Sequence, residues 1–263
     1  RVRKGTWKNN EFQYAEKPMP PESKITEKKP VQDPSKVVAA ATGSGFAVSA
    51  DGYVITNHHV INGCQKVFVH TNGKAIPTNL VTYDQQNDLA LLKADFKPKA
   101  VFPLSNKRPE LLQDIYVAGY PFGKKVSSSV KVTKGIISSL TGTNNNFARV
   151  QIDAAIQTGN SGGPILDDYG NVVGVAVSKL DVKFAIKNFG AIPENTNFGI
   201  KSSVVGSVLD SNGVDSPPAN DKPITKSELG KRISKGTYYI SCWMTMTQIK
   251  KMRTKKVMFS DLE

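Results

Sequence analysis

From Val37 onward the chain is a succession of short β-prone runs broken by turns, and this pattern constrains the fold more than any other feature. The runs KVVAAATGSGFAVSADGYVITN, KVFVHTNGKAI, NDLALLKA, DIYVAGYP, VTKGIISSL, ARVQIDAAI and NVVGVAVSKL follow one another at close spacing. Asn72-Gly73 and Asp51-Gly52 mark turns between such runs, where a tight hairpin needs residues that accept positive φ. Many short strands at this spacing predict an all-β barrel or sandwich. Helix signals are few. The best is KSSVVGSVLDSNG, with a serine at its start, Val204, Val205, Val208 and Leu209 at helical spacing, and Asn212-Gly213 as a stop.

The length of 263 residues suffices for one large or two small domains with buried cores. No run of eighteen apolar residues occurs, which excludes a membrane-spanning helix. The chain opens on Arg1 without an apolar leader and so reads as a mature or trimmed product, with export left open. The formal charge of +13 is uneven. Residues 1–36 carry nine Lys/Arg against five Asp/Glu and residues 221–263 carry ten against four, so the two ends supply ten of the thirteen charges. The middle has the balance of an ordinary soluble domain. Lysines are not interleaved with aromatics on a repeated face, and no nucleic-acid-binding signature is present, so nucleic acid is not an expected partner.

Composition divides the chain. Residues 1–36 are rich in Pro, Lys and Glu, cannot bury a core and read as a flexible basic arm. A β-rich domain follows over 37–213. DSPPANDKP opens a linker over 214–235, and 236–263 forms a tail. In that tail TYYISCWMTMTQ alternates, placing Tyr238, Ile240, Cys242, Met244 and Met246 on one face. Such a half-buried strand needs a sheet to lie on, which predicts that the tail packs on the preceding domain.

The stretch AAIQTGNSGGPILDDYGNVVG places Ser161 between glycines. A serine hydroxyl is a weak nucleophile at neutral pH. It needs a histidine to take its proton and an acid to orient that histidine. Only three histidines exist, His58, His59 and His70, and none follows Ser161. The α/β-hydrolase order, in which acid and histidine follow the serine, is therefore excluded although GNSGG satisfies the G-x-S-x-G pattern. A subtilisin-like order, with the acid first, would have only Asp33 in the arm and Asp51 in a turn, on a chain of the wrong class. The order His, Asp, Ser on an all-β chain remains. His59 precedes Val60 at the end of a buried run. Asp88 precedes the apolar run Leu89–Leu92, whereas Asp84 lies in a polar loop without one. His58 reads as a neighbour that points elsewhere and His70 as the end of a strand.

The segments GSGFAVSADGYVITNHHV, NDLALLK and DAAIQTGNSGGPILDDYGNVVGV resemble the trypsin-like serine proteases of chymotrypsin fold, most closely the bacterial HtrA (Deg) group, over residues 37–210. The resemblance implies two packed six-stranded β-barrels, about 37–105 and 114–205, with a short C-terminal helix, a strand-like tail and an active site in the cleft between the barrels. It implies a serine endopeptidase acting on unfolded or misfolded polypeptides, needing no cofactor and no metal, exported to a bacterial periplasm or secreted, with homo-oligomerisation left open. Ser161 attacks, His59 transfers the proton and Asp88 holds the imidazole. The Gly159-Asn160-Ser161 backbone forms the oxyanion hole, with the amides of Gly159 and Ser161 as donors.

The same resemblance places the floor of a specificity pocket at Ala155 and its walls at Ala176–Lys179, including Val177, Ser178 and Lys179, and at Asn197, Phe198 and Gly199. With no carboxylate at the floor, cleavage after small or medium apolar residues is expected. Asn160 stands where digestive relatives carry an Asp that pairs with a freed N-terminus, so loop conformation is the expected gate. The segment after Leu209 is too short for the PDZ domain common in the group. The two cysteines, Cys64 and Cys242, form an even pair that an exported protein would join as a disulfide, two buried free thiols being the alternative. The competing functional class is a catalytically silent scaffold of the same fold that binds peptides or a partner through its basic ends.

Overall fold

The computed structural model describes residues 5–9, 11–15, 33–121, 129–177 and 195–260. Two units are distinguished, 1–33 and 34–263. In the first, β1 (Gly5–Lys8) and β2 (Glu11–Ala15) form an antiparallel hairpin, with Asn9 in its turn at φ +50°. This hairpin is local structure within the stretch read as an arm.

The second unit is built from two closed six-stranded barrels. Residues 37–105 supply five strands of the first: β3 (Val37–Ala47), β4 (Tyr53–Thr56), β5 (Lys66–Thr71), β6 (Lys74–Asp84) and β7 (Leu89–Ala94). The second barrel comprises β8 (Asp114–Gly119), β9 (Lys131–Ser139), β10 (Arg149–Ile152), β11 (Pro164–Leu166), β12 (Val172–Val177) and β13 (Asn197–Lys201). The sixth strand of the first barrel is β14 (Thr237–Thr245), from the far end of the chain. It lies between β3 and β5, antiparallel to both, with Tyr239 opposite Ser44 on one side and His70 on the other. The tail is therefore a wall of the barrel and not an addition to its surface. Its burial differs from the alternating pattern for the same reason. Every residue from Thr237 to Cys242 is buried, because the outer face of the strand is covered as well as the inner.

Apolar side chains sort into three layers. Ala47, Val54, Val69, Ala90, Leu92 and Ile240 fill the first barrel. Ile115, Val117, Ile137, Val150, Ile152 and Ile165 fill the second. Between the barrels lie Phe46, Ile55, Leu89, Leu91, Phe102, Val175 and Ile200. The uninterrupted run Leu89–Leu92 follows from this arrangement, since Ala90 and Leu92 face inward while Leu89 and Leu91 face the other barrel. Phe46 and Phe102 meet edge to face at 6.2 Å between ring centres. Removing a fully buried ring such as Phe102 costs about 3–5 kcal/mol.

Four helices are described. The short α1 (His58–Ile61) follows β4, and α2 (Ser202–Asp210) buries Val205 and Leu209 as its spacing predicts. The linker expected over 214–235 contains α3 (Lys226–Gly236). Its N-cap, Thr225, accepts a hydrogen bond at Oγ1 from the Glu228 amide, Leu229 and Ile233 pack into the inter-barrel layer, and Lys226 pairs with Asp168. A further helix, α4 (Met246–Ser260), follows β14. Thr245 and Gln248 form a reciprocal capping box. The Gln248 amide donates to Thr245 Oγ1, and the Thr245 amide donates to Gln248 Oε1.

Candidate active site

The site begins at the junction of β6 and β7. Asp84 accepts from the Asn87 amide (3.0 Å) and from Asn87 Nδ2 (2.6 Å), closing the loop between these strands. Burial alone would raise its pKa, but hydrogen bonds from Asn87 and Gln86 outweigh that and lower it. Asp84 is thus committed to the loop. Asp88 emerges from this loop at φ +61°, a left-handed conformation that Asp tolerates better than most residues.

That conformation lets Asp88 grip the segment ahead of α1 through both its backbone and its side chain. Its carbonyl oxygen accepts from the His58 amide (3.2 Å) and Asn57 Nδ2 (2.8 Å). Its carboxylate accepts from the His59 amide at Oδ1 (2.8 Å) and meets His59 Nδ1 at Oδ2 (2.7 Å). Pairing at Nδ1 fixes the ring and leaves Nε2 as the proton-accepting nitrogen. The His59 side chain is 46% exposed, so that nitrogen has room for a reacting group. His58 turns away and stacks on Tyr83, rings 4.6 Å apart and 11° from parallel. His70 lies on β5, its Nε2 2.7 Å from Ser241 Oγ.

Ser161 sits in the turn before β11 and is 7% exposed. Two glycine contacts bring it beside the histidine segment. A Cβ on Gly43 would lie 2.7 Å from Val60 and 3.0 Å from the Ser161 carbonyl oxygen. A Cβ on Gly162, at φ +86°, would lie 2.2 Å from the Ser44 carbonyl oxygen, 2.4 Å from Thr56 Oγ1 and 2.9 Å from the Asn57 nitrogen. Only glycine allows the serine turn to approach the 56–57 backbone so closely. Among the described residues no hydrogen bond joins Ser161 Oγ to His59; such bonds are often long without substrate and tighten in the complex.

Immediately before the serine, the Asn160 amide donates to the Gln157 carbonyl (2.9 Å), and Gly159 holds φ +103° at the third position of this turn. An i to i+3 bond with positive φ at that position is the type II pattern. The amides of Gly159 and Ser161 have no acceptor among the described residues. Asn160 was included in the expected oxyanion hole. Its own amide is engaged in the turn, and its side chain is directed toward Gly119, so the available donors are Gly159 and Ser161.

Ser44 was not singled out by sequence reasoning, because nothing local marks the serine of TGSGF. Its amide donates to the Ser161 carbonyl (2.8 Å), and its hydroxyl donates to the Gly159 carbonyl (2.7 Å) while accepting from the Tyr120 amide (2.9 Å). Asn57 was missed for the same reason. Both residues act only through segments distant in sequence.

Of the expected pocket residues, Ala155 is exposed and its carbonyl accepts from Thr133 Oγ1. Val177 and Phe198 are opposite one another on β12 and β13 and both are buried. Asn197 donates from Nδ2 to the Ala154 carbonyl (2.8 Å), and its buried Oδ1 has no partner among the described residues. A Cβ on Gly199 would strike Ile165, so that face of Gly199 turns into the second barrel and not toward a substrate. Ser178 and Lys179 lie outside the described residues. Cys64 and Cys242 form a disulfide, with Cα atoms 5.4 Å apart, which joins the loop after α1 to the middle of β14. Among the described residues, no group of three or more His, Cys, Asp or Glu could hold a metal.

The model of the trypsin-like peptidase domain matches residues 43–175, just over half of the chain. The chain belongs to the trypsin-like peptidase family. This peptidase-family chain is 38% identical over 212 residues to an uncharacterized protein y4bJ of Sinorhizobium fredii, a match covering 80% of this chain and 33% of that protein. It is 38% identical over 142 residues to a probable periplasmic serine endoprotease, DegP-like, of Hahella chejuensis, covering 52% of this chain and 29% of the relative. Among solved structures, the serine endoprotease from Yersinia pestis matches with a TM-score of 0.53 and 30% identity, over 66% of this chain and 63% of that one. The peptidase-family chain therefore spans about a third of the length of these two curated relatives.

Proposed function

We propose that the protein is a serine endopeptidase of the HtrA (Deg) type, with Ser161 as nucleophile, His59 as general base and acid, and Asp88 as the group that orients and stabilises the imidazolium. The observation that carries this reading is the pairing of Asp88 with both the amide and Nδ1 of His59, next to a serine turn in which two amides have no acceptor among the described residues. In this reading Ser161 Oγ attacks the scissile carbonyl carbon as His59 Nε2 takes its proton. The negative charge that develops on the carbonyl oxygen is met by the Gly159 and Ser161 amides. His59 then returns the proton to the leaving amine, and a water molecule repeats the sequence to release the acyl group. Fixed amide donors at the developing oxyanion are worth about 3–4 kcal/mol each.

The DegP-like relative's periplasmic description supports an exported protein, and no helix among the described residues is long and apolar enough to cross a membrane. Unfolded or misfolded polypeptides are the proposed substrates. Casein, which lacks a stable fold, is a suitable stand-in. Wild-type protein should degrade it, and Ser161→Ala should lose about 10⁶ in turnover while keeping its thermal transition. Equal cleavage by the two would refute the assignment and favour the binding-scaffold reading.

A further inference from the structure

A cavity of about 410 Å³ lies between the β5–β6 hairpin, Tyr120 and the segment that joins α3 to β14. This volume is that of a small-molecule site. Its lining combines two kinds of group. Lys99 and Lys235 bring cationic side chains, and no Asp or Glu is among the described residues that line it. Tyr120, Tyr238 and Tyr239 bring aromatic surface, with Tyr120 and Tyr239 edge to face at 6.0 Å. Lys99 Nζ donates to Asn72 Oδ1 (3.3 Å), which leaves its remaining donors for an incoming acceptor. Burial, and secondarily Tyr120, raises the pKa of the Tyr238 phenol, so this ring stays neutral and does not repel an anion.

The cavity is joined to the serine turn by a continuous set of hydrogen bonds. The Tyr120 hydroxyl donates to the Thr237 carbonyl (3.3 Å), and the Tyr120 amide donates to Ser44 Oγ (2.9 Å). Ser44 Oγ in turn donates to the Gly159 carbonyl (2.7 Å). Gly159 occupies the turn position whose φ sets the orientation of its own amide. A ligand that shifts the Tyr120 ring thus acts on a residue bonded to the serine turn.

We propose that this cavity binds a small organic carboxylate with an aromatic body, and that its occupancy is transmitted through Tyr120 and Ser44 to the Gly159 turn. The carboxylate takes its bonds from Lys99 and Lys235, and the ring packs among the tyrosines. The transmission rests on the reading of Gly159 as an oxyanion donor, whereas the binding does not.

The test is titration of the ¹⁵N-labelled full chain with phenylacetate, followed by amide shifts and by calorimetry. Saturable binding should shift the amides of Thr237 and Tyr239 and also those of Ser44 and Gly159. Phenylacetamide, which has the same ring without the charge, should bind about tenfold more weakly or less, as should phenylacetate to the double variant Lys99→Ala/Lys235→Ala. The single variant Lys235→Ala should weaken binding several-fold, which serves if the double variant fails to fold. Absence of saturable binding, equal binding of phenylacetamide, or unchanged affinity in the variants overturns the site. Inorganic phosphate binding as tightly as phenylacetate overturns the aromatic class. Shifts confined to the cavity, with none at Ser44 or Gly159, overturn the transmission. None of these readouts needs peptide hydrolysis, so failure of the peptidase reading would appear separately.

Discussion

Replacing Cys64 by Ser and Cys242 by Ala removes the one covalent tie between the C-terminal strand and the loop that follows the histidine helix. The partners are 178 residues apart in sequence. In the chain-entropy model a loop of this length restricts the unfolded ensemble by about 17 cal/mol/K, or about 5 kcal/mol at 25 °C. That is an upper figure. The strand is also held by hydrogen bonding to β3 and β5 and by the burial of Tyr238 and Ile240, none of which the variant removes. Cys242 is fully buried, so alanine avoids leaving an unpaired hydroxyl there, while Cys64 is partly exposed and accepts serine. The expected loss is about 2–5 kcal/mol, measured as a lower urea midpoint under non-reducing conditions. Reduction of the wild-type protein should reproduce most of that shift and leave the variant unaffected. A change below about 1 kcal/mol, or recovery of Cys64 and Cys242 as free thiols in a non-reduced digest, would refute the claim that the strand is covalently fastened.

Gly159→Ala places a Cβ at a φ of +103° and favours reversal of the turn peptide, so peptide hydrolysis should fall about 10²–10³-fold with little change in KM; unchanged kcat would remove Gly159 from the oxyanion hole. Asp167 is buried in the β11–β12 turn, and burial outweighs its hydrogen bonds from Asn171 and Tyr169 to raise its pKa. Its protonated form is therefore favoured by folding. That contribution is present below the unfolded pKa and is lost as pH rises through the raised folded value. Asp167→Asn should accordingly gain stability relative to wild type as pH rises from below 4 to 7; a difference constant with pH in urea titrations would contradict this. On the proposal that Ala155 forms the pocket floor, a peptide library should show cleavage after Val, Ala or Leu, and a profile dominated by Arg or Lys would displace the floor from that position.

The β-prone runs could be read from the sequence because each strand carries its own apolar pattern and its own turn, whereas the pair of six-stranded barrels entered only through the resemblance to trypsin-like proteases. The three side chains of the proposed triad stand out because histidine is scarce and their order excludes other folds. The partner of β14 was different. Its alternation announced a strand in need of a sheet, but which sheet edge it completes depends on a pairing with β3 and β5 that no local residue encodes. The capping signals of α3 and α4, Thr225 with Glu228 and Thr245 with Gln248, were present in the sequence. They were overshadowed by a proline-rich approach in one case and by the preceding strand in the other. Ser44 and Asn57 could not be found by spacing, since their importance lies in bonds to Gly159, Ser161 and Asp88 across 31 or more residues.

The central claim is that Ser161 is a nucleophile activated by His59 and supported by a formed oxyanion hole. Labelling with a fluorophosphonate probe tests all three together, because the probe must be attacked by an activated serine and its phosphoryl oxygen must be received by the hole. One adduct is expected, mapped by mass spectrometry to the peptide containing Ser161 and absent in both Ser161→Ala and His59→Ala. An unlabelled wild-type protein, or a Ser161→Ala variant that labels as well as wild type, would contradict it.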